Sequence, residues 1–432
     1  MNYRNRPLHP ILRILYFGFR LLTWAGVSVF YRRRLVLGRE HLALDGPAIV
    51  VSNHPSTLMD VLNVGLEVRQ ELFFLANYGL FRHPLSNWLL RKLYCIPVMR
   101  QEDLREGEQR DNNKAFEESF RHLELGGLLF IAAEGVSWME RRVRPFKTGS
   151  ARIAFGTELR NAWQADVKIL PVGLSYSAPD RFRSEVVIQF GEPVLAAAWR
   201  EAFEANADQA IQELTEQLQA RVSALTIDSK SAAGESCLGI LEAVAQNTQT
   251  LPQDLKFRRS QALTAIAEKQ ELAELCSRYS AGLAAQKISD GILAARRPTV
   301  QEHLFLFFGA PFFLLGYAWW FLPSQVLELL ARRLNLYIGY DATLKILGGL
   351  FTWGAALWGT YALGRSLGLG PQVAIVFPIM ALGLGAFADL YRQRWQRWTD
   401  WKQYQRSGSA LKTLADMRAQ VLTHIRKSGI DV

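Results

Sequence analysis

The apolar positions of this chain change their spacing several times, and these changes predict where its strands and helices lie. Between residues 34 and 195, short apolar runs alternate with stretches of helical period. The predicted strands are Leu35–Leu37, Ala48–Val51, Leu72–Leu75, Cys95–Met99, Leu128–Ala133, Ile169–Leu174 and Val186–Phe190. The predicted helices are Leu58–Val68, Pro84–Leu93, Asn112–Leu123 and Ala151–Leu159. This alternation is typical of an α/β domain whose sheet is substantially parallel and flanked by helices.

Residues 196–300 are rich in Ala, Glu, Gln, Lys and Arg and keep a helical period, for example in Asp208–Leu225 and Leu263–Tyr279. The stretch Ser229–Ser236 predicts a loop between helices. Because no pattern typical of a reactive site occurs here, we interpret the region as a helical connector.

Three apolar runs without a charged side chain follow: Leu304–Leu327, Ile346–Gly364 and Ser366–Ala388. About 20 apolar residues suffice to cross the core of a bilayer, so residues 301–391 are predicted to be membrane segments. A single arginine and a glycine-rich turn separate the second and third runs, which predicts a tight hairpin at about 346–388. Gly309, Pro311 and Gly316 interrupt the first run and weaken the case that it spans the membrane. Arginine pairs flank this run at both ends, at residues 296–297 and 332–333, which favours a re-entrant or interfacial segment there.

The first 33 residues contain an apolar span, Ile14 to Tyr31, that is broken only by Arg20 and followed by three arginines. No small-residue cleavage site follows it, which indicates a retained segment rather than a signal peptide. A charged side chain makes a complete crossing costly, so we predict a helix that lies in the membrane interface. A buried helix of a soluble domain is the alternative interpretation.

Residues 392–432 open with closely spaced basic and aromatic side chains, such as Arg394, Trp395 and Lys402. Directly after an apolar span this mixture is more typical of an interfacial aromatic belt with cytoplasmic charge than of a nucleic-acid site. Basic residues also flank the apolar runs on one side. We therefore predict that the α/β domain and this tail both face the cytoplasm.

Composition adds two constraints on partners and compartment. The formal net charge is +10 and the sequence pI is about 9.5, which indicates an anionic partner such as an acidic lipid surface or a phosphorylated substrate. The cysteines Cys95, Cys237 and Cys276 are scattered, so they predict neither a disulfide framework nor a metal site and indicate a reducing compartment.

Candidate chemistry begins where the apolar run Ile49–Val51 ends in a polar loop that holds His54. Pro55 favours an extended backbone at His54, and a helical pattern follows. Asp60 would then lie about one turn into that helix, close enough to orient the imidazole. An aspartate that fixes the tautomer of a histidine and stabilises its protonated form makes that histidine a general base. A structural loop histidine is the alternative.

Three further stretches end or contain apolar runs of the same domain. One strand delivers Arg100, another leads into Glu134 and Gly135, and the segment Arg144–Gly149 follows with Lys147. The third is Ile169–Gly173. Since ligands of open α/β sheets bind at the carboxyl ends of strands, we expect these stretches to meet His54 along one sheet edge.

Together these motifs resemble the glycerolipid acyltransferase superfamily, which includes the glycerol-3-phosphate and 1-acylglycerol-3-phosphate acyltransferases. The resemblance covers roughly Gly38 to Pro193 and rests on the order of the motifs. Two departures stand out. Five residues separate His54 from Asp60 where the family usually has four, and Ser137 occupies the place of a family arginine.

The resemblance implies a fold, a reaction and a set of site residues. His54 and Asp60 would be catalytic; the implied substrate-binding residues are Asn53, Arg100, Glu134, Gly135, Arg144, Lys147 and Gly149. Arg100 and Lys147 match family phosphate-binding positions, and Arg144 is the expected substitute for the absent arginine. The glycines would let backbone approach the substrate. No metal or bound cofactor is implied, and the acyl donor would be acyl-CoA or acyl-carrier protein.

Three hypotheses about function follow from this resemblance. The first is a membrane-bound O-acyltransferase of phospholipid biosynthesis that acylates glycerol 3-phosphate or 1-acylglycerol 3-phosphate. The second keeps the chemistry but changes the acceptor to another lysolipid, such as a lyso-aminolipid. The third is a non-catalytic membrane scaffold with a degenerate site. The partners expected are a phospholipid membrane, an acyl thioester and a phosphorylated acceptor or lysolipid, and no nucleic acid.

Overall fold

The computed structural model describes residues 10–92, 94–100, 111–294, 298–334, 341–406 and 410–432. The chain divides into two compact units, residues 1–228 with 337–343 and residues 229–336 with 344–432. In the first unit the strands are β1 Arg33–Leu37, β2 Ala48–Ser52, β3 Leu72–Asn77, β4 Cys95–Val98, β5 Leu128–Ala132, β6 Lys168–Tyr176, β7 Glu185–Phe190 and β8 Val194–Leu195. Its helices are α1 Pro10–Phe30, α2 Leu58–Gly65, α3 Pro84–Lys92, α4 Asn113–Glu124, α5 Gly149–Arg160, α6 Arg200–Ala205 and α7 Ala207–Ala224.

The first unit is built on one mixed sheet with the strand order β1-β7-β6-β2-β5-β3-β4, and β8 pairs with β6. Strand β2 lies parallel between β5 and β6, and β3 and β4 continue the parallel part beyond β5. The predicted α/β fold is confirmed, with every predicted strand present. The carboxyl ends of β2, β5 and β4 lie at one edge of the sheet, as expected.

Apolar side chains from the sheet and from the helices that flank it form the core of this unit. Helix α7 contributes to this core. Ile211, Leu214 and Val222 of α7 belong to the same buried cluster as Ile49 of β2 and Ile169 of β6. Burying such side chains is the main favourable term in folding. The compact unit therefore extends to Asp228, beyond the boundary at residue 195 that composition suggested.

Helix α1 presents two different sides. Arg20 donates hydrogen bonds to the backbone oxygens of Leu66 and Val68, both at 2.7 Å, where α2 ends. These contacts place the one charged side chain of the apolar span against the unit's own backbone. The exposed apolar side chains of the helix are Ile14, Leu15, Phe17, Leu21, Leu22, Trp24 and Val29. A helix that buries its charge and exposes its apolar face agrees with the predicted interfacial position.

The second unit contains α8 Ala232–Thr248, α9 Gln253–Ala267, α10 Gln270–Gln286, α11 Asp290–Leu293, α12 Val300–Leu334, α13 Asp341–Ser366, α14 Pro371–Ala374, α15 Val376–Arg406 and α16 Ala410–Lys427. The continuous helix predicted over Leu263–Tyr279 is wrong, because the chain breaks between α9 and α10 at Glu268 and Lys269. The loop predicted over Ser229–Ser236 is shorter than expected, since Ser231 caps α8 by accepting from Gly234 N.

Helix α16 packs against α8 and α10 rather than forming a separate tail. Its Arg418 makes a 2.9 Å ion pair with the buried Asp290, which also accepts hydrogen bonds from Tyr279 and Asn247. Leu414, Val421 and Ile425 of α16 are buried. A buried charge needs such partners because an unpaired one is costly. Helix α16 is therefore an integral part of this unit.

Helices α12, α13 and α15 are long and apolar enough to cross a membrane. Helices α12 and α15 pack along each other in antiparallel fashion: Glu302 pairs with Arg397, Leu306 O accepts from Tyr391, and Ala381 O accepts from Trp320. The first and third apolar runs thus pack against each other, and the hairpin of the second and third runs stays a prediction. Gly316 allows the packing of α12 on α15, since a Cβ there would lie 2.5 Å from Leu384 O.

Candidate active site

His54 leaves the end of β2 and faces Asp60 in the first turn of α2. The Nδ1 atom of His54 lies 2.9 Å from Asp60 Oδ2. A carboxylate only accepts hydrogen bonds, so Nδ1 carries the proton and Nε2 presents its lone pair. The His54 side chain is 14% exposed and that of Asp60 is fully buried. This geometry provides an oriented general base with one accessible nitrogen.

Three donors hold the Asp60 carboxylate. Oδ2 accepts from His54 Nδ1 and, at 2.9 Å, from Ser56 N, while Oδ1 accepts from Tyr176 Oη at 2.7 Å. Tyr176 ends β6, which is the strand parallel to β2. Hydrogen bonds of this kind stabilise the ionised form of a buried carboxylate.

The additional residue between His54 and Asp60 is accommodated by an unusual backbone at Thr57. Its φ of 47° and ψ of −121° place a residue with a β-branched side chain in the left-handed half of conformational space. The backbone N–H of Thr57 donates to Ser137 Oγ at 3.1 Å. Ser137, at the place of the family arginine, thus contacts the loop that holds the longer spacing. The two departures from the family pattern form one structural unit.

Ser137→Ala is expected to lower the kcat of acyl transfer about 10- to 100-fold, since a loop displaced by about 1 Å can cost this much. The variant removes the hydrogen bond from the buried Thr57 N–H to Ser137 Oγ, which costs about 1–3 kcal/mol of stability. Ser150→Ala is the matched control, because Ser150 is buried and its hydroxyl has no hydrogen-bond partner among the described residues. Steady-state kinetics and thermal unfolding of both variants check this. Equal kcat values in the two variants would contradict the role of Ser137.

Glu134 follows β5, the strand beside β2, and its carboxyl group lies next to His54. Its Oε1 accepts from His54 N at 3.3 Å. Burial raises the pKa of Glu134 to about 8, and the Asp60 carboxylate acts in the same direction. Backbone N–H groups of His54 and Arg144 and the Arg144 charge lower that pKa in part. At neutral pH the protonated form of Glu134 dominates, which makes it a hydrogen-bond donor as well as an acceptor.

Glu134→Gln is expected to change how stability depends on pH. The pKa of Glu134 lies at about 8 in the folded chain and near 4.5 when unfolded, so the folded form binds the proton more tightly. The stability that this provides is complete below pH 4.5 and is lost as the pH rises through 8. Thermal unfolding in detergent at pH 5.5 and 8.5 should show a larger decrease for wild type than for Glu134→Gln. Glu201→Gln, at an exposed position of α6, should behave like wild type, and equal decreases in all three proteins would contradict this assignment.

Lys147 and the two site glycines lie on the segment that follows β5. Gly135 has a φ of 78°, and a Cβ there would lie 3.5 Å from Lys147 Cγ, so the lysine stem passes over it. The Lys147 side chain is exposed, and the backbone N–H of Lys147 donates to Ala133 O at 2.8 Å. Gly149 begins α5, and a Cβ there would meet no atom within 4 Å. Gly135 and the stem of Lys147 therefore lie next to Glu134.

Three other residues expected to bind substrate contact protein atoms or lie farther from His54, namely Asn53, Arg144 and Arg100. The Asn53 side chain pairs with the backbone of Leu174 through two 2.9 Å hydrogen bonds, so it joins the loop to β6, and its role in substrate binding stays a prediction. Arg144 pairs with Glu140 and lies over the Trp138 ring. Arg100 follows β4, three strands from β2 and thus about 14 Å away at the usual strand spacing. A phosphate role for Arg144 or Arg100 stays a prediction.

The sequence pattern alone did not indicate Tyr176 or Trp138 as residues of the site. Trp138 N donates to His54 O at 3.1 Å, and its ring is 45% exposed. For Trp138, the sequence signal was a tryptophan only four positions after Glu134. Among the residues that the structure describes, no group of three or more His, Cys, Asp or Glu is placed to hold a metal ion.

Comparison with known proteins agrees with this geometry. Residues 33–175, which include the strands and loops that carry the site, match the family model described as Acyltransferase. Over these residues the chain is therefore similar to known acyltransferases. The matched residues, called the acyltransferase domain below, contain His54, Asp60, Glu134 and Lys147, and the predicted resemblance to glycerolipid acyltransferases is confirmed.

Two curated relatives come from Saccharomyces cerevisiae. Glycerol-3-phosphate O-acyltransferase 2 is 34% identical over 88 residues, 20% of this chain and 12% of that protein. Glycerol-3-phosphate O-acyltransferase 1 is 30% identical over 122 residues, 27% of this chain and 16% of that protein. The matches thus span a small part of the relatives' length. A solved structure, the 1-acyl-sn-glycerophosphate (LPA) acyltransferase PlsC from Thermotoga maritima, is 22% identical, with a TM-score of 0.34, and the match covers 50% of this chain and 86% of that one.

Proposed function

We propose that this protein is a membrane-bound O-acyltransferase that transfers a fatty acyl group from acyl-CoA or acyl-carrier protein to a hydroxyl of glycerol 3-phosphate or 1-acylglycerol 3-phosphate. The observation that carries the proposal is the 2.9 Å contact between His54 Nδ1 and Asp60, inside the acyltransferase domain. A hydroxyl is a weak nucleophile at neutral pH and needs a base of this kind.

The reaction follows from which nitrogen of His54 is accessible. Nε2 accepts the proton of the acceptor hydroxyl as its oxygen attacks the carbonyl carbon of the acyl thioester. The imidazolium that forms is stabilised by Asp60, which holds Nδ1–H. As the tetrahedral intermediate collapses, the carbon–sulfur bond breaks and the thiolate takes the proton from Nε2. The products are an ester and a free thiol, and His54 returns to its starting state. No metal or bound cofactor takes part in this scheme.

A second candidate acceptor is a lysolipid without a phosphate monoester, such as a lyso-aminolipid. The observation that favours it is the serine at position 137 together with the pairing of Arg144 with Glu140, which occupies one cation near the site. Lys147 is exposed beside Gly135 and is the better placed cation for a phosphate. One exposed pair contributes little, so a phosphorylated acceptor requires a further cation such as Arg100.

The test uses the full chain in phospholipid nanodiscs with a radiolabelled acyl thioester, either acyl-CoA or acyl-carrier protein. The acceptors are glycerol 3-phosphate, 1-acylglycerol 3-phosphate and a lyso-aminolipid, and His54→Ala is the control. The expected result is acylation of a phosphorylated acceptor by wild type alone. Acylation of the lyso-aminolipid alone supports the second candidate. Transfer to none of the acceptors would contradict both and favour the scaffold hypothesis.

We further propose that the apolar segment crosses the membrane an even number of times, with α12 as a re-entrant or interfacial segment. Helices α8 and α10 precede the apolar segment and α16 follows it, yet the Arg418–Asp290 ion pair joins them. Both ends of the segment then lie on one side, which requires an even number of crossings. The second and third apolar runs, which form α13 and α15 and are joined by a short connection, would supply two of them. The acyltransferase domain and α16 would both face the cytoplasm, in agreement with the basic flanks.

Cysteine labelling in intact cells checks this topology. Ala410→Cys at the start of α16 is expected to react with a membrane-impermeant maleimide only after the cells are permeabilised. Leu367→Cys, in the exposed turn between α13 and α14, should react from outside. Cys95, Cys237 and Cys276 are buried and give little background. Rapid labelling of position 410 from outside would mean an odd number of crossings.

A further inference from the structure

A chain of buried side chains reaches Asp60 from the side opposite His54. Tyr176 Oη donates to Asp60 Oδ1 at 2.7 Å, and Asn63 Nδ2 lies 3.3 Å from Tyr176 Oη. Arg34 Nε donates to Asn63 Oδ1 at 3.1 Å, and its guanidinium also donates to Asn63 O at 2.7 Å. These side chains come from β1, α2 and β6. The proposed acyl-transfer reaction assigns no role to Arg34, Asn63 or Tyr176.

Arg34 decides the direction of every hydrogen bond in this chain. A guanidinium only donates, so the Asn63 side chain must turn its oxygen toward Arg34 and its NH₂ group toward Tyr176. The NH₂ group donates to Met59 O at 2.9 Å and to Tyr176 Oη. The Tyr176 hydroxyl accepts that bond and is left with one hydrogen, which points at Asp60. Each hydrogen bond in the chain is therefore donated in the direction from Arg34 toward Asp60.

The surroundings keep this order fixed. Asp60 and Asn63 are fully buried and Tyr176 is 5% exposed, so water does not compete for these groups. Burial, together with the Asp60 charge, raises the pKa of Tyr176 well above its ordinary value, and the hydroxyl stays a donor. Glu67 of the segment after α2 pairs with both Arg34 and Arg39, which holds the guanidinium in place.

We propose that Tyr176 is a positioning residue that acts through Asp60, and that Arg34 and Asn63 set the orientation of its hydroxyl. This inference rests on the proposed function. The hydroxyl holds Oδ1, so that the carboxylate cannot rotate and Oδ2 stays directed at His54 Nδ1. Without that bond, Oδ1 is a buried acceptor without a donor, and the carboxylate turns away from His54 to find one. The effect belongs to the chemical step, since Tyr176 does not contact the substrate in this scheme.

The test compares Tyr176→Phe with wild type in the nanodisc assay. The expected result is a kcat about 10- to 100-fold lower with KM values for donor and acceptor within about twofold. In the Asp60→Asn background the same substitution should cause little further loss, because its partner is already altered. Tyr279→Phe is the matched control: it removes an equally buried hydroxyl that donates to Asp290 in the other unit, and its kcat should equal that of wild type.

A second variant reaches the same hydroxyl from its other side. Asn63→Asp keeps the size of the side chain and its pairing with Arg34 but replaces the NH₂ donor with an acceptor. The Tyr176 hydroxyl can then donate to position 63 instead of Asp60, so kcat should fall as in Tyr176→Phe. Tyr176→Phe or Asn63→Asp with wild-type kcat would overturn the inference, as would equal losses in the wild-type and Asp60→Asn backgrounds. Inactive wild-type protein would instead refute the proposed function itself.

Discussion

His54→Ala is expected to reduce the kcat of acyl transfer about 10³- to 10⁴-fold, because it removes the base that takes the proton of the acceptor hydroxyl. The fold should persist. The imidazole lies at the rim of the sheet, is partly exposed, and its one described side-chain contact is with Asp60. Thermal unfolding and membrane association should therefore equal those of wild type. Labelled acyl thioester in nanodiscs measures the loss of transfer.

His41→Ala is the matched control for this experiment. His41 belongs to the same unit, is also partly exposed and lies 3.9 Å from the carboxylate of Glu40, which makes it a second histidine next to an acid. It is not at the carboxyl edge of β2, so its loss should leave the rate unchanged. Near-normal turnover in purified His54→Ala protein, or an equal loss in both variants, would refute the mechanism.

Asp60→Asn is expected to reduce kcat about 10²- to 10⁴-fold with little change in the KM for the acyl thioester. The amide removes the charge that stabilises the imidazolium. It also brings an NH₂ group to a position where the described neighbours of both oxygens are donors, namely His54, Ser56 and Tyr176. The side chain can then no longer satisfy all three, and His54 loses its fixed tautomer.

Asp228→Asn provides the comparison for this variant. Asp228 is a buried aspartate of the same unit that accepts hydrogen bonds from Val143 N and Ser223 Oγ. Asp228→Asn should lose about as much stability as Asp60→Asn but keep most of the wild-type kcat. A large increase in the KM for the acyl thioester in Asp60→Asn, with kcat unchanged, would show that Asp60 shapes the donor pocket and does not act through His54.

The His54–Asp60 pair is predictable from sequence because it is local. A strand, a proline-biased loop and the first helical turn bring the two residues together within seven positions, whatever the rest of the fold does. Tyr176 lies 116 positions from Asp60, and its contact depends on β6 pairing with β2 so that Ser52 lies opposite Val172. Apolar periodicity places strands along the chain but does not give their order or register.

The same limit explains why the sequence did not indicate the protein contacts of Asn53 and Arg144. Both residues carry groups that bind ligands well, and the sequence cannot reveal that protein atoms already hold them. Asn53 meets the backbone of β6, and Arg144 lies four positions from Glu140, a spacing that pairs side chains only if the loop turns as it does here. Helix α7 is a further example, because its apolar face is visible in the sequence, whereas the surface that it covers is not.

The packing of α16 on α8 and α10 has a consequence for how the chain is made. During synthesis α8–α10 emerge well before α16, and the apolar helices α12 to α15 lie between them. Until α16 arrives, the surface around Asp290 that accepts Arg418 has no cover, and its apolar neighbours are exposed to solvent. Completion of this unit therefore has to wait for insertion of the apolar helices. A ribosome that stalls within them would release a protein whose second unit displays an unfinished apolar surface, the kind of surface that cellular quality control recognises.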